Sequence, residues 1–300
     1  MLAIVIPFYN IDFFKETLDS LKNQTNQNFR VYIGNDGSMS DLSELISFYN
    51  EHIEIHYRNF PDNLGAVSLV SHWNRCMSLL SNEDWVCILG DDDMLSSTVV
   101  DEFYSQFELV KKKGVAVVRL RSQLIDDSGG AISEVYEHPT IESSIGSFEK
   151  VFYKQSRSSL SEYVFSRNVY ERFGFFDFPL AWHSDDLAWL TFSNFGTIYT
   201  LSNCKAMIRL SSVNISGQSD NFRLKRKASV AFYRKLLGRY PFRFKHSFRE
   251  ELLKELVYLV DKTKNYTLKN STLIIVHLLW MLKVKLALGF LKKAFKSNVL

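Results

Sequence analysis

Trp85-Val86-Cys87-Ile88-Leu89-Gly90-Asp91-Asp92-Asp93 is a short apolar run that ends in three consecutive carboxylates. A run of this length, apolar at every position, suits a strand buried on both faces, as in a parallel sheet. Three adjacent acids repel one another, and more strongly as water is excluded. At the mouth of a strand, a hard divalent cation such as Mg²⁺ or Mn²⁺ would relieve that repulsion. Such ions favour carboxylate oxygens and commonly bridge to substrate phosphates. The competing reading is a solvated acidic turn leading into the next helix, since Asp is at home in turns and near helix N-termini.

The neighbouring segments repeat the pattern. Strands are expected over 2–8, 29–34, 53–57, 85–89 and 115–120, and helices near 12–23, 40–49, 66–80 and 98–113. This alternation of short apolar runs with helical periodicity predicts an α/β fold, a mostly parallel sheet flanked by helices. In such sheets ligands bind beyond the carboxyl ends of the strands. Polar residues stand at those ends: Pro7-Phe8-Tyr9-Asn10 after the first, Asn35-Asp36-Gly37-Ser38 after the second, Gly90 to Asp93 after the fourth. Three strands therefore deliver carboxylates and donors to one edge.

Beyond about Ile125 the pattern loosens. Asp126-Asp127-Ser128-Gly129-Gly130 reads as a turn, followed by a polar stretch to Ser147 and a second group of elements over 160–167, 169–174, 185–195 and 197–210. From Asp220 the chain reads as helical almost to its end, with Leu252, Leu253, Leu256, Val257 and Val260 on one face. The expected division is 1–125, 126–216 and a helical C-terminal extension over 217–300.

Composition excludes some classes. The 300 residues are 46% hydrophobic and 23% charged, with a net charge of +3, which does not point to nucleic acid. Basic residues nevertheless dominate between Arg223 and Arg249. Cys76, Cys87 and Cys204 lack metal-ligand spacing and read as buried thiols of a reducing compartment. No secretory signal is inferred, so a cytoplasmic location is expected. Leu273–Leu291 approaches membrane-spanning length, but Lys283 and Lys285 interrupt it at several kcal/mol each in hydrocarbon. A helix packed on the protein, or lying on a membrane surface with Trp280, Lys292, Lys293 and Lys296 at the interface, fits better.

Each polar motif has two local readings. Asp36 can simply close a turn, or its carboxylate can accept a nucleobase ring N–H with Gly37 permitting close approach. Asn63-Leu64-Gly65 has a turn signature before a helix carrying His72 and Asn74. Asp185-Asp186 opens the apolar helix that begins Leu187-Ala188-Trp189; these acids can serve the helix terminus, or one can act as a general base. His183, beside Trp182, reads as a structural histidine or a metal ligand. No Walker loop, G-x-G-x-x-G, G-x-S-x-G or H-E-x-x-H is present, which removes most dehydrogenases, P-loop enzymes, serine hydrolases and zinc peptidases.

The ordered set Ile4-Val5-Ile6-Pro7-Phe8-Tyr9-Asn10, Asn35-Asp36-Gly37-Ser38, Asn63-Leu64-Gly65, Asp91-Asp92-Asp93 and Asp185-Asp186 resembles the family 2 glycosyltransferases, over roughly residues 1–216. The resemblance implies a GT-A fold: a Rossmann-like nucleotide-binding half joined to an acceptor-binding half, with a metal motif at the junction. It implies that Pro7, Tyr9 and Asn10 line the nucleotide pocket, that Asp36 reads the base, usually uracil, and that Asn63 and Gly65 flank the nucleotide. The three acids match the D-x-D element holding Mn²⁺ or Mg²⁺ on the diphosphate. Its register is open, Asp91 with Asp93 or Asp92 with Asp93. Asp185-Asp186 match the family's acidic pair, with Asp186 as the base. Many members carry Arg-x-His after the last strand. Here Arg209-Leu210-Ser211 stands in that place, so either Arg209 contacts the diphosphate alone or the metal site is looser.

The expectation is an inverting, metal-dependent transferase that moves a sugar from a nucleotide-diphosphate donor, UDP favoured, to a hydroxyl of a glycan or lipid-linked acceptor in cell-surface polysaccharide synthesis. Work at the inner face of the membrane, with peripheral contact through the C-terminal helices, is part of that expectation. A non-catalytic sugar-nucleotide or glycan-binding module is the first alternative. A sugar-nucleotide pyrophosphorylase is the second; it would typically open with a glycine-rich basic loop, where this chain has Phe8-Tyr9-Asn10-Ile11.

Overall fold

The computed structural model describes residues 1–211 and 221–297, which form two compact units. The boundary expected at 216–217 lies outside the described residues. Unit 1 comprises Met1–Asp177 with Ser184–Gln218, and unit 2 comprises Phe178–His183 with Ser219–Leu300.

Unit 1 is an α/β unit. Its elements are β1 (Leu2–Phe8), α1 (Phe14–Lys22), β2 (Phe29–Asn35), α2 (Ser43–Asn50), β3 (Ile55–Asn59), α3 (Leu69–Met77), β4 (Trp85–Ile88), β5 (Met94–Leu95) and α4 (Val99–Lys112). They continue with β6 (Val117–Ile125), β7 (Ile141–Ser143), α5 (Ser144–Phe152), β8 (Tyr163–Ser166), α6 (Arg167–Phe173), α7 (Ser184–Phe192) and β9 (Thr197–Arg209). The nine strands make one sheet in the order β3-β2-β1-β4-β8-β6-β9-β5, with β7 paired to β9.

The first four strands are parallel, and β1 is paired on both edges. That position demands a strand apolar on both faces, and Leu2, Ala3, Ile4, Val5, Ile6 and Phe8 are all fully buried. Helix α1 covers one face with Phe14, Leu18 and Leu21, the i, i+4, i+7 stripe, and Phe14 meets Phe8 at 4.5 Å between ring centroids. On α3, Cys76 lies so close to Gly34 that a Cβ there would overlap its sulfur. All three cysteines are buried and free, and burial pushes each thiol up to about 12, which keeps them unreactive.

The helix and strand order of the first half agrees with the periodicity. The neighbour of β4 does not: antiparallel β8 stands between β4 and β6, and β6 pairs in parallel with β9 instead. The expected fifth strand is therefore displaced by a segment nearly 50 residues later in the chain. This interposed strand carries the second half of the site into the sheet.

Unit 2 is helical: α8 (Phe222–Arg239), α9 (His246–Thr263), α10 (Leu268–Trp280) and α11 (Val284–Lys296), with the segment Phe178–His183 packed among them. His183 stacks on Phe232 at 4.5 Å and 9°, and its Nε2 meets Ser229 Oγ at 2.9 Å, a structural placement. The apolar stretch 273–291 is broken at Leu282, whose φ is +57°, so it becomes two short helices. Among the described residues, no helix is long and apolar enough to cross a membrane.

Candidate active site

The carboxyl ends of β1, β2 and β4 meet at one edge because the three strands are adjacent and parallel. Backbone hydrogen bonds extend the sheet one residue further, from Asp36 N to Phe8 O at 2.9 Å and from Leu89 N to Val5 O at 2.9 Å. The polar residues that follow each strand are thereby held together.

The three acids diverge in their partners. Asp91 turns back toward β1, where its Oδ2 accepts the backbone N–H groups of Tyr9 and Asn10 at 2.8 Å each. Asp93 points inward: Oδ1 accepts the Arg209 N–H at 2.9 Å and Oδ2 accepts the Ser161 hydroxyl at 2.5 Å. A Cβ built on Gly90 would lie 2.9 Å from Asp93 Oδ2 and 3.0 Å from Asp92 Oδ1. Glycine is required here because two carboxylates converge over its bare Cα. Burial, and then the charge of Asp92, pushes Asp91 up to about 7 and Asp93 up to about 8.

This donor set suits a hard divalent cation. Asp92 and Asp93 offer oxygens on the same side of Gly90, and a cation would offset both the burial of the Asp93 carboxylate and its repulsion by Asp92. Among the described residues, no three His, Cys, Asp or Glu side chains form a metal cage. One or two carboxylates completed by phosphate and water are what Mg²⁺ commonly accepts.

Asp36 is buried at the end of β2 and joins three segments. Its carboxylate accepts the backbone N–H of Leu64 at 2.9 Å and of Gly65 at 2.8 Å, and it pairs with Arg75. Any side chain on Gly65 would overlap Asp36 Oδ2, which explains the glycine of the Asn63-Leu64-Gly65 motif. Asn63 Oδ1 closes the same loop by accepting the Ala66 N–H at 2.9 Å. Arg75 also donates to Asp62 and lies over the Phe60 ring at 4.2 Å. Its Nε lies 3.0 Å from His72 Nδ1, which is also 3.3 Å from Asp36 Oδ1. Burial pushes His72 down to about 4. The sequence places His72 on this helix but gives neither it nor Arg75 a role, although the two stand at i, i+3 spacing.

Tyr9 stands half exposed at the edge, and Asn10 closes a local turn with Asp12. Pro7 is partly buried within β1. Arg209, by contrast, lies inside. Its Nε donates to Asp92 O at 3.0 Å, Nη1 to Asp126 O at 2.7 Å and Nη2 to Glu16 Oε2 at 2.5 Å, while the guanidinium stacks on Phe13 at 4.1 Å. It braces the acidic turn from below.

Asp185 and Asp186 occupy the first turn of α7. Asp186 lines a narrow crevice with Ser144, Ser147, Ser158, Tyr163 and Trp189, and Tyr163 stacks on Trp189 at 4.1 Å. Ser144 Oγ and Trp189 Nε1 are buried there without a hydrogen-bond partner. Burial, then the charge of Asp186 and a contribution from Glu162, raises Asp185 well above the ordinary carboxylate range. Glu162 itself is fully buried: Oε1 accepts from Arg157 and from Ser159 Oγ at 2.7 Å, and Oε2 has no partner.

The turn Leu160–Glu162 before β8 links the two acid groups. Ser161 binds Asp93, and Tyr163, which follows the turn, stacks on Trp189 of the helix that Asp185 and Asp186 open. Neither residue was predicted individually; the signal available was their place in a segment leading into the acceptor side.

The model of the family described as glycosyl transferase family 2 matches residues 3–165. An uncharacterized glycosyltransferase of Rickettsia bellii (strain RML369-C) is 42% identical over 135 residues, which is 44% of this chain and 18% of that protein. The chain thus spans less than a fifth of the length of this curated relative. Two crystal structures from S. aureus share the fold. TarS 1-349 has a TM-score of 0.61 at 14% identity, covering 98% of this chain and 80% of that one. TarS 1-349 in complex with UDP-GlcNAc has a TM-score of 0.62 at 12% identity, covering 99% and 88%. With the strand ends, the acidic turn and the matched span in agreement, this chain belongs to glycosyltransferase family 2.

Proposed function

We propose that this chain is an inverting glycosyltransferase that moves a sugar from a nucleoside-diphosphate donor to a hydroxyl of a glycan or lipid-linked acceptor. The observation that carries the reading is the continuity from Asp93 through Ser161 to Tyr163, which stacks on Trp189 of the helix that Asp185 and Asp186 open, so that an acidic strand mouth and a second acidic pair are tied together within one unit. Two such groups suit a reaction that needs charge neutralised at a leaving diphosphate and a proton removed from an incoming hydroxyl. UDP is the favoured nucleotide, supported by the S. aureus TarS 1-349 structures in complex with UDP and with UDP-GlcNAc.

In this reading residues 1–125 hold the donor and 126–216 present the acceptor. Tyr9, Asn10, Asn63 and Gly65 border the nucleotide, with Asp36 beneath its base. Asp92 and Asp93 would hold Mn²⁺ or Mg²⁺, which would supply positive charge to offset the negative charge on the departing diphosphate. Asp91 spends its carboxylate on fixing the end of β1, and Arg209 supports the turn rather than reaching outward. Asp186 takes the proton of the acceptor hydroxyl as it attacks the anomeric carbon from the face opposite the leaving group, and one displacement inverts that centre. Burial and the charge of Asp186 raise the proton affinity of its neighbour Asp185, which disfavours a second negative charge beside the base.

A thermal-shift panel of nucleotides and nucleotide sugars, with and without Mn²⁺, tests the donor, because a ligand of the native state raises its apparent stability. UDP and UDP-sugars should raise the midpoint most, and a preference for GDP or dTDP would overturn the uracil assignment. Asp186→Asn should abolish transfer while leaving nucleotide binding intact. Binding without transfer or hydrolysis in the wild type would favour the non-catalytic binding module.

A further inference from the structure

Unit 2 leaves an apolar surface uncovered along α10 and α11. On α10, Ile274, His277 and Leu278 are buried, while Leu268, Thr272, Val276 and Leu279 form an exposed row at helical spacing. An open groove of about 430 Å³ runs along this row, lined by Leu268, Lys269, Thr272, Leu273 and Val276. At the corner between the helices Leu282 is 87% exposed, flanked by half-exposed Trp280 and Val284. On α11, Ala287, Phe290 and Ala294 face inward, and Val284, Leu288 and Phe295 are each about half exposed on another face. Soluble surfaces rarely keep this much contiguous apolar area without a partner.

The charge around this surface says what the partner is. From Leu268 to Ser297 the chain carries Lys269, Lys283, Lys285, Lys292, Lys293 and Lys296 and no acidic residue. Lys283 pairs with Glu250 and Lys293 with Asp261. Lys269, Lys285, Lys292 and Lys296 have no carboxylate partner among the described residues. On α11 three of these, Lys285, Lys292 and Lys296, repeat at seven- and four-residue intervals, one position after Val284, Leu291 and Phe295. An apolar row beside a row of lysines is the arrangement that binds an anionic lipid surface, the apolar side chains entering the interface and the basic ones meeting the lipid phosphates.

A second copy of the chain fits this surface poorly, since a two-fold interface would set lysine rows against each other. Spanning is excluded by length: α10 and α11 have 13 residues each, about 20 Å against a hydrocarbon core of about 30 Å.

We propose that the α10–α11 surface docks on an anionic lipid bilayer, with the Leu282 corner inserted at headgroup depth and the free lysines on the lipid phosphates. This docking is independent of the chemistry proposed for unit 1. Sedimentation of the full chain with vesicles, without any sugar nucleotide, tests it. Binding is expected to phosphatidylcholine–phosphatidylglycerol vesicles and to weaken sharply with salt, with little binding to phosphatidylcholine alone. Leu282→Glu combined with Leu288→Glu should lower the bound fraction about tenfold or more, at an unchanged circular dichroism spectrum and unfolding midpoint. Lys285→Glu with Lys292→Glu should weaken it as well. Failure to bind anionic vesicles, equal binding to neutral ones, or a concentration-dependent dimer abolished by the Leu282 and Leu288 substitutions would overturn the proposal.

Discussion

The Ser161 hydroxyl donates to Asp93 Oδ2 at 2.5 Å and accepts the Gly90 N–H at 3.0 Å. One side chain thus fixes both ends of the acidic turn, from a segment 68 residues away in sequence. The consequence is mechanical. Asp93 cannot rotate toward bulk water without breaking a buried bond, so its orientation over Gly90 is set before any ligand arrives.

Replacing Ser161 with Ala removes a buried hydrogen bond to a carboxyl group, worth about 1.5–3 kcal/mol. The urea midpoint should fall accordingly, and the Mn²⁺ concentration needed for half-maximal transfer should rise. Metal dependence equal to that of the wild type would show that Ser161 does not position Asp93.

Gly65→Ala should be far more harmful than its size suggests. Its Cβ would overlap Asp36 Oδ2, forcing the carboxylate from the Leu64 and Gly65 N–H groups. Overpacking of this kind costs about 1–3 kcal/mol, and the damage is local to the nucleotide loop. Calorimetry should therefore show weakened nucleotide binding with only a modest loss of global stability. Unchanged affinity would remove this loop from the binding site.

His72 gives the protein an acid sensitivity. It is buried and neutral, and burial holds its pKa near 4, below the unfolded value of 6.5. The unfolded chain therefore binds more protons between those values, and stability is lost as pH falls from about 6.5 toward about 4. The loss amounts to about 3 kcal/mol once the pH is below both values. Urea midpoints at pH 5 and pH 7 should differ less in His72→Leu than in the wild type. An identical difference in both proteins would assign the acid sensitivity elsewhere.

For Arg209 the magnitudes separate two explanations. Its ion pair with Glu16 is partly exposed on the Glu16 side, so Glu16→Gln should cost no more than about 1 kcal/mol. Arg209→Lys loses the planar contacts to Asp92 O and Asp126 O and the stack on Phe13, about 2–3 kcal/mol together. Equal effects in urea unfolding would mean that the ion pair, not the brace, is what Arg209 provides.

Local patterns in the sequence were enough for the parallel half of the sheet and for the edge where function gathers. Leu2–Phe8 is apolar at consecutive positions because a central parallel strand is buried on both faces, and the polar residues after each strand follow from where the chain leaves the sheet. Those signals are carried within a few residues, so reading them needs no partner.

Tertiary structure decided the rest. The antiparallel insertion of β8 beside β4 depends on hydrogen bonds between distant segments, which side-chain periodicity does not encode. Asp91, Asp92 and Asp93 are chemically identical in sequence, and only the surrounding N–H groups and hydroxyls turn Asp91 toward β1 and Asp93 toward Ser161. Glu162 reads as one more acid until the fold buries it completely against Arg157 and Ser159. The apolar stretch 273–291 reads as one long segment until Leu282 turns the backbone and makes two helices of it. Composition and period report which residues avoid water; direction and pairing are settled only when the rest of the chain supplies the partners.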